Sequence, residues 1–315
     1  MTDLPVLAEV AHLPGVPDPA GIDRSIPFIE THHHLWELDR FSYDWLRDPG
    51  YPGHTALLGD YRMIRSTLGR PERLFAEMYG ANVIGTVHVE ADYSGPDPVE
   101  ETAWLAAVAR EHGRPNALVV YCDLERDGAE AELDRHLAAS TLVRGVRIRV
   151  HPEDPGTAAF RAAYAALGPR GLSYELNASP GRLLAGRDTA DANPDVAVVL
   201  GHAGLPMARD PEYFARWRAE IGEVAKVDHV SCKVSGLGMA DNRWTIESIR
   251  PWVLGCIEAF GPGRIMFGTN WPVDALFRTY LEQVDAYRVI LAGEGFSRAD
   301  QERMLVRNAE RIYRI

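Results

Sequence analysis

Apolar positions along the chain follow two alternating rhythms. Short apolar runs lie at Pro27–His32, Val83–Glu90, Ala117–Asp123, Val143–Val150, Leu172–Leu176, Val196–Leu200, His229–Val234 and Ile265–Thr269. Between most of them run longer stretches with apolar residues at spacings of three and four, such as Pro98–His112, Ala129–Ala139, Ala158–Leu167, Pro211–Ala225, Thr245–Phe260 and Leu276–Leu291. The first rhythm predicts strands and the second helices. Ser297 and Asp300 form a capping-box-like start for a last helix. Strand–helix alternation predicts a mostly parallel sheet. Eight such units in roughly 290 residues predict a (β/α)8 TIM barrel. A doubly wound open sheet would need a Gly-rich loop after the first strand. That position carries three histidines instead.

Two segments fall outside this rhythm. Residues 1–26 hold Pro5, Pro14, Pro17, Pro19, Gly15 and Gly21, which disfavour helix and strand alike. They predict an extended N-terminal arm ahead of a single barrel over 27–315. Such an arm is either a free tail or a strap on a neighbouring subunit of a homodimer. Residues 35–59 predict a long first βα loop with Trp36, Phe41, Tyr43, Trp45 and Tyr51. On a barrel, such a loop lies over or beside the site.

Charge narrows the partners. The chain has 33 basic and 45 acidic residues, a formal net of −12. That excess argues against nucleic acid and against anionic membranes. At 46% hydrophobic and 25% charged residues, the composition is that of a globular protein. No apolar run approaches the ~20 residues of a membrane span. The first basic residue is Arg24, so neither a basic export signal nor an Arg-rich transit peptide is expected. Cys122, Cys232 and Cys256 are too scattered for a disulfide framework and fit buried thiols in a cytoplasmic protein.

Candidate chemistry gathers at strand ends. In Glu30-Thr31-His32-His33-His34, strand alternation puts His32 and His34 on one face and His33 on the other. Side chains two apart, about 7 Å along a strand, can converge on one metal ion or one substrate oxygen. His202 ends the apolar run Val198-Val199-Leu200-Gly201. Three histidines with an open position can form a catalytic zinc site. The eighth run ends at Asn270, which cannot take a proton, with Asp274 four residues on as the available carboxylate. Arg147 and Arg149 share a face and suit an anionic group on a substrate, or interior carboxylates such as Glu90 and Glu175. His88 shares a face with Glu90, and Lys233 sits between Cys232 and Val234. Each alone is more often a structural polar residue, and together they predict a barrel whose upper interior is ionic.

These phrases resemble the amidohydrolase-related family, the amidohydrolase 2 branch of the amidohydrolase superfamily. The resemblance spans about Ile26 to Ile315. It rests on Glu30-Thr31-His32-His33-His34-Leu35-Trp36, Val87-His88-Val89-Glu90-Ala91, Arg144-Gly145-Val146-Arg147, Gly201-His202-Ala203-Gly204-Leu205-Pro206, Lys233-Val234-Ser235-Gly236-Leu237-Gly238-Met239, and Phe260-Gly261-Pro262 running on to Asn270-Trp271-Pro272-Val273-Asp274. Within the branch the chain is most similar to the lactonase-like group. The resemblance implies a barrel with its site at the strand C-termini. It implies that His32, His34 and His202 bind metal or polarise a carbonyl. Asn270 stands where the family has an aspartate that activates water. The strand-five histidine and strand-four lysine of binuclear members have no match. One divalent metal, zinc first, or none is therefore expected.

The expected function is hydrolysis of a small cyclic ester, a sugar lactone or carboxylated lactone. Asp274, Asn270 and His202 would do chemistry, and Arg147, Arg149, Glu90, Glu175 and Lys233 would bind substrate. Two alternatives stay open: a non-oxidative decarboxylase of the same superfamily, and a catalytically degenerate barrel that only binds ligand.

Overall fold

The computed structural model describes residues 22–47, 69–148, 151–152 and 155–315. Eight parallel strands follow one another around a barrel in chain order. They are β1 (Phe28–His33), β2 (Val83–Val89), β3 (Ala117–Tyr121), β4 (Val143–Arg147), β5 (Ser173–Leu176), β6 (Val198–Leu200), β7 (Val230–Val234) and β8 (Ile265–Phe267). All eight runs read from the sequence are strands. The TIM-barrel expectation holds.

Closure between β1 and β8 continues past the end of β8. Asn270 N donates to His32 O (2.8 Å) and His34 N to Trp271 O (2.7 Å). A Cβ on Gly268 would lie 2.7 Å from His32 Cβ, so glycine is what lets the two backbones approach. Glu30, fully buried, ties the same seam by accepting from Thr269 N, Thr269 Oγ1 and His32 N.

Helices cover the barrel because their apolar stripes meet the outward faces of the strands. The helices Ala129–Ala139 and Pro211–Ala225 match their predicted bounds. The predicted helix from Leu276 begins only at Tyr280. Thr279 caps it, accepting from Glu282 N while Glu282 accepts from Thr279 N. Ser297 caps the last helical stretch as the sequence predicts, accepting from Asp300 N. That stretch runs Arg298–Glu302, passes a π turn at Arg303–Arg307 and ends as Asn308–Tyr313. Among the described residues, no helix is long and apolar enough to cross a membrane.

Residues 1–21 of the predicted arm lie outside the described residues. Its described end packs on the chain's own barrel, where Arg24 pairs with Asp285 (2.5 Å) and Ile26 is buried. Tyr51 and the far part of the first βα loop also lie outside. The near part packs inward through aromatics: Trp36 meets Trp45 edge-on at 5.7 Å, and Phe41 lies 5.5 Å from Trp104. The three cysteines are buried thiols.

Candidate active site at the strand C-termini

Three of the predicted imidazoles meet at one end of the barrel. The His32 ring centroid lies 5.0 Å from that of His34 and 4.2 Å from that of His202. His33 points elsewhere, as alternation predicts, and its ring stands 5.5 Å from His88. His88 Nε2 faces Leu35 O at 3.5 Å, so His88 belongs to the packing behind the loop.

Each ring is oriented by a neighbour. His34 Nδ1 faces Val89 O at 2.8 Å. A carbonyl only accepts, so Nδ1 carries the proton and Nε2 keeps its lone pair. Arg147 Nη1 stands 3.4 Å from His32 Nε2. A guanidinium only donates, so that nitrogen is the acceptor and His32 Nδ1 bears hydrogen without a partner. His202 Nδ1 lies 2.9 Å from Ser235 Oγ. Burial lowers the affinity of all three rings for a further proton. The charges of Arg147 and Lys233 act in the same direction on His32 and His202, and that of Arg147 on His34. His34 falls to about 3. The cluster is neutral at pH 7.

His202 is delivered by a strained turn. After β6 the backbone takes left-handed values at His202 (φ 49°), Ala203 (52°), Gly204 (70°) and Leu205 (47°). Each non-glycine residue there costs about 1–2 kcal/mol. Trp217 Nε1 holds the turn from outside by donating to Ala203 O at 2.7 Å. Asp92 after β2 and Asn270 after β8 are also left-handed. Left-handed backbone thus recurs in the turns that follow β2, β6 and β8.

Arg147 reaches the histidines under restraint. Its Nε donates to Glu90 Oε1 (2.5 Å) and its Nη2 to Glu90 O (2.8 Å). Glu90 therefore binds the arginine, and only Nη1 is turned to the rings. Glu175 and Lys233 were expected to touch substrate. They are sealed, at 1% and 0% exposure, and Lys233 Nζ donates to both Glu175 oxygens at 3.0 and 2.9 Å. Tyr313 closes the group, donating to Glu175 Oε1 (2.5 Å) while Lys233 sits over its ring. This trio is a strut inside the barrel. Arg149 lies outside the described residues.

Asn270 and Asp274 form a second group beside the rings. Asn270 Nδ2 donates to Asp274 Oδ1 (3.2 Å), Gly238 N donates to Asp274 Oδ2 (3.2 Å), and the Asn270 side chain also bonds to His34. Burial pushes the Asp274 carboxyl up to about 7, against the two donors. Asp92 is held near 7 by burial and by the charge of Glu90, and Glu101 near 8 by the same two causes.

Of the three rings, His202 resembles a metal ligand in turning one nitrogen to a neighbour, whereas His34 engages both Val89 O and the Asn270 side chain. His32 does not resemble one, because its Nε2 faces a guanidinium. Among the described residues no three His, Cys, Asp or Glu side chains are set around one point for a metal ion. The residues as placed do not fit a three-histidine metal centre.

An eight-stranded parallel barrel with imidazoles, an arginine and a buried carboxyl at the C-terminal ends of its strands is an α/β TIM-barrel protein. The chain belongs to the amidohydrolase family, whose sequence pattern it matches over residues 29–315. It is 34% identical over 302 residues to the uncharacterized protein y4mH of Sinorhizobium fredii, covering 92% of this chain and 99% of that one. It is 29% identical over 278 residues to an L-fucono-1,5-lactonase of Burkholderia multivorans, covering 81% and 85%. A crystal structure of an amidohydrolase from Burkholderia multivorans with bound zinc superposes with a TM-score of 0.77 at 26% identity, covering 92% and 99%.

The sequence reading did not single out Ser235 or Gly236 as site residues. The sole signal was their place in the Lys233–Met239 phrase just after a strand.

Proposed function

We propose that the protein hydrolyses a small lactone, with Arg147 polarising the ring carbonyl. The observation that carries this is Arg147 Nη1, 3.4 Å from His32 Nε2. It is a fixed donor beside neutral rings, and fixed donors stabilise a developing oxyanion. The similarity to an L-fucono-1,5-lactonase supports the same reaction class.

Water adds to the carbonyl carbon, and its proton passes to a base. Asp274, held near 7, has the matched affinity for that proton. The ring C–O bond then breaks, the proton returns to the departing oxygen, and a hydroxy acid is released. Glu90 already uses two donor groups of Arg147. That leaves no full fork for a substrate carboxylate and favours a polyhydroxylated lactone over a carboxylated one.

The test is a pH-indicator assay of the full chain on L-fucono-1,5-lactone, other aldonolactones and carboxylated lactones. One acid equivalent per turnover, lost in Arg147→Met, is expected. Acid release from none of them overturns the proposal. CO2 release from hydroxybenzoates in the same preparation would replace it with the decarboxylase alternative.

A further inference from the structure

We propose that Ser235 and Gly236, at the end of β7, are positioning residues that hold His202 with Nδ1 turned away from the mouth and its Nε2 lone pair turned toward it. The assignment deepens the lactonase reading and rests on it for its catalytic meaning, though its geometry stands alone.

Three observations converge. Ser235 is fully buried, and its Oγ lies 2.9 Å from His202 Nδ1. Gly236 adopts φ +66°, and a Cβ there would lie 2.6 Å from His202 Nδ1 and 2.7 Å from Met239 Cε. The space beside Nδ1 is thus closed to any larger residue. Finally, the backbone of His202 is itself left-handed, at φ 49°, so the ring is carried by a strained turn. A hydroxyl against one ring nitrogen and a glycine against its flank determine how the imidazole is turned. The His202 ring packs 4.2 Å from His32, which Arg147 holds. A rotated His202 would present a ring C–H, and a switched tautomer an N–H, where the Nε2 lone pair would otherwise orient the water that Asp274 deprotonates.

The proposal makes Ser235 and Gly236 act through His202, without touching substrate. Its test needs a readout that a structural role would not move. Selective 15N-histidine labelling, with His202→Gln for assignment, reports the proton position on the ring by long-range 1H–15N correlation. Wild type is expected to show the Nδ1–H tautomer. Ser235→Ala is expected to mix the tautomers and lower kcat on L-fucono-1,5-lactone about 10–100-fold, with KM within about twofold. Ser235→Thr keeps the hydroxyl and is expected to restore both. Gly236→Ala, checked for an intact melting transition, is expected to disturb the His202 signal in the same way.

A wild-type ring in the Nε2–H form overturns the proposal. So does a tautomer unchanged in both Ser235→Ala and Gly236→Ala. If wild type hydrolyses no lactone, the function proposal fails, and the tautomer measurement still decides this one.

Discussion

Asn270 donates an amide hydrogen to Asp274 across 3.2 Å. The asparagine just past the eighth strand thus holds a carboxyl four residues on. Burial raises that carboxyl to about 7, and the Asn270 and Gly238 donors pull it down. Asn270→Ala removes one donor, so the acid limb of the kcat/KM profile should move to higher pH. Asn270→Asp places two carboxyls in contact, which then share a proton and split their titrations. Its profile should broaden. A profile unchanged in both variants would remove Asp274 from the reaction.

The second prediction concerns metal. Arg147 occupies the lone pair of His32, so three histidines are not free for one ion. Elemental analysis of untagged protein should find substoichiometric metal, equal in wild type and His32→Ala. One zinc per chain, lost in His32→Ala, would sink carbonyl polarisation by Arg147 as the working mechanism.

Arg147 and Glu90 are both nearly inaccessible, at 8% and 0% exposure. Removing one partner of such a pair strands the other charge, at a cost of about 3–5 kcal/mol. Arg147→Met should lose that much stability in urea titration. Glu90→Gln with Arg147→Met should recover part of it. Both should lack lactonase activity, because the carbonyl donor is gone.

Glu101 gives a prediction about pH and stability. Its carboxyl accepts from Tyr43 Oη at 3.0 Å and is raised from 4.5 to about 8, mostly by burial. The folded state therefore binds its proton more tightly than the unfolded chain does. Its stabilising contribution is full below about 4.5 and fades as pH rises through about 8. Glu101→Gln keeps an acceptor for Tyr43 and needs no proton. Calorimetry should show a higher melting midpoint than wild type at pH 8.5 and little difference at pH 5. Equal offsets at both pH values would contradict the shift.

Much of the architecture was legible in the chain. Apolar runs locate strands wherever both faces of a sheet are covered, because a buried parallel strand has no polar side to confuse the pattern. His32 and His34 were legible as a pair because strand alternation is geometric. His202 was legible because a polar residue after a wholly apolar strand has few reasons to be there. Glu175 and Lys233 pair with each other inside the barrel. Charge at a strand end suggested substrate contact, but alternation does not tell how deep in the barrel a side chain lies. The C-terminal Tyr313, distant in sequence, fills the space that makes them a strut.

By itself the sequence determined the eight strand–helix units, their order and the identity of the groups at the strand ends. Those follow from local periodicity and from the obligatory pairing of backbone groups. The tertiary structure alone decided how those groups are used. It set Arg147 against both Glu90 and His32, brought Asp274 under Asn270, and wedged Ser235 and Gly236 against His202. All but one of these relationships join residues from different strand ends, and Asn270 and Asp274 share the loop after β8. Their separation depends on barrel closure and on left-handed turns, and neither leaves a periodic trace along the chain.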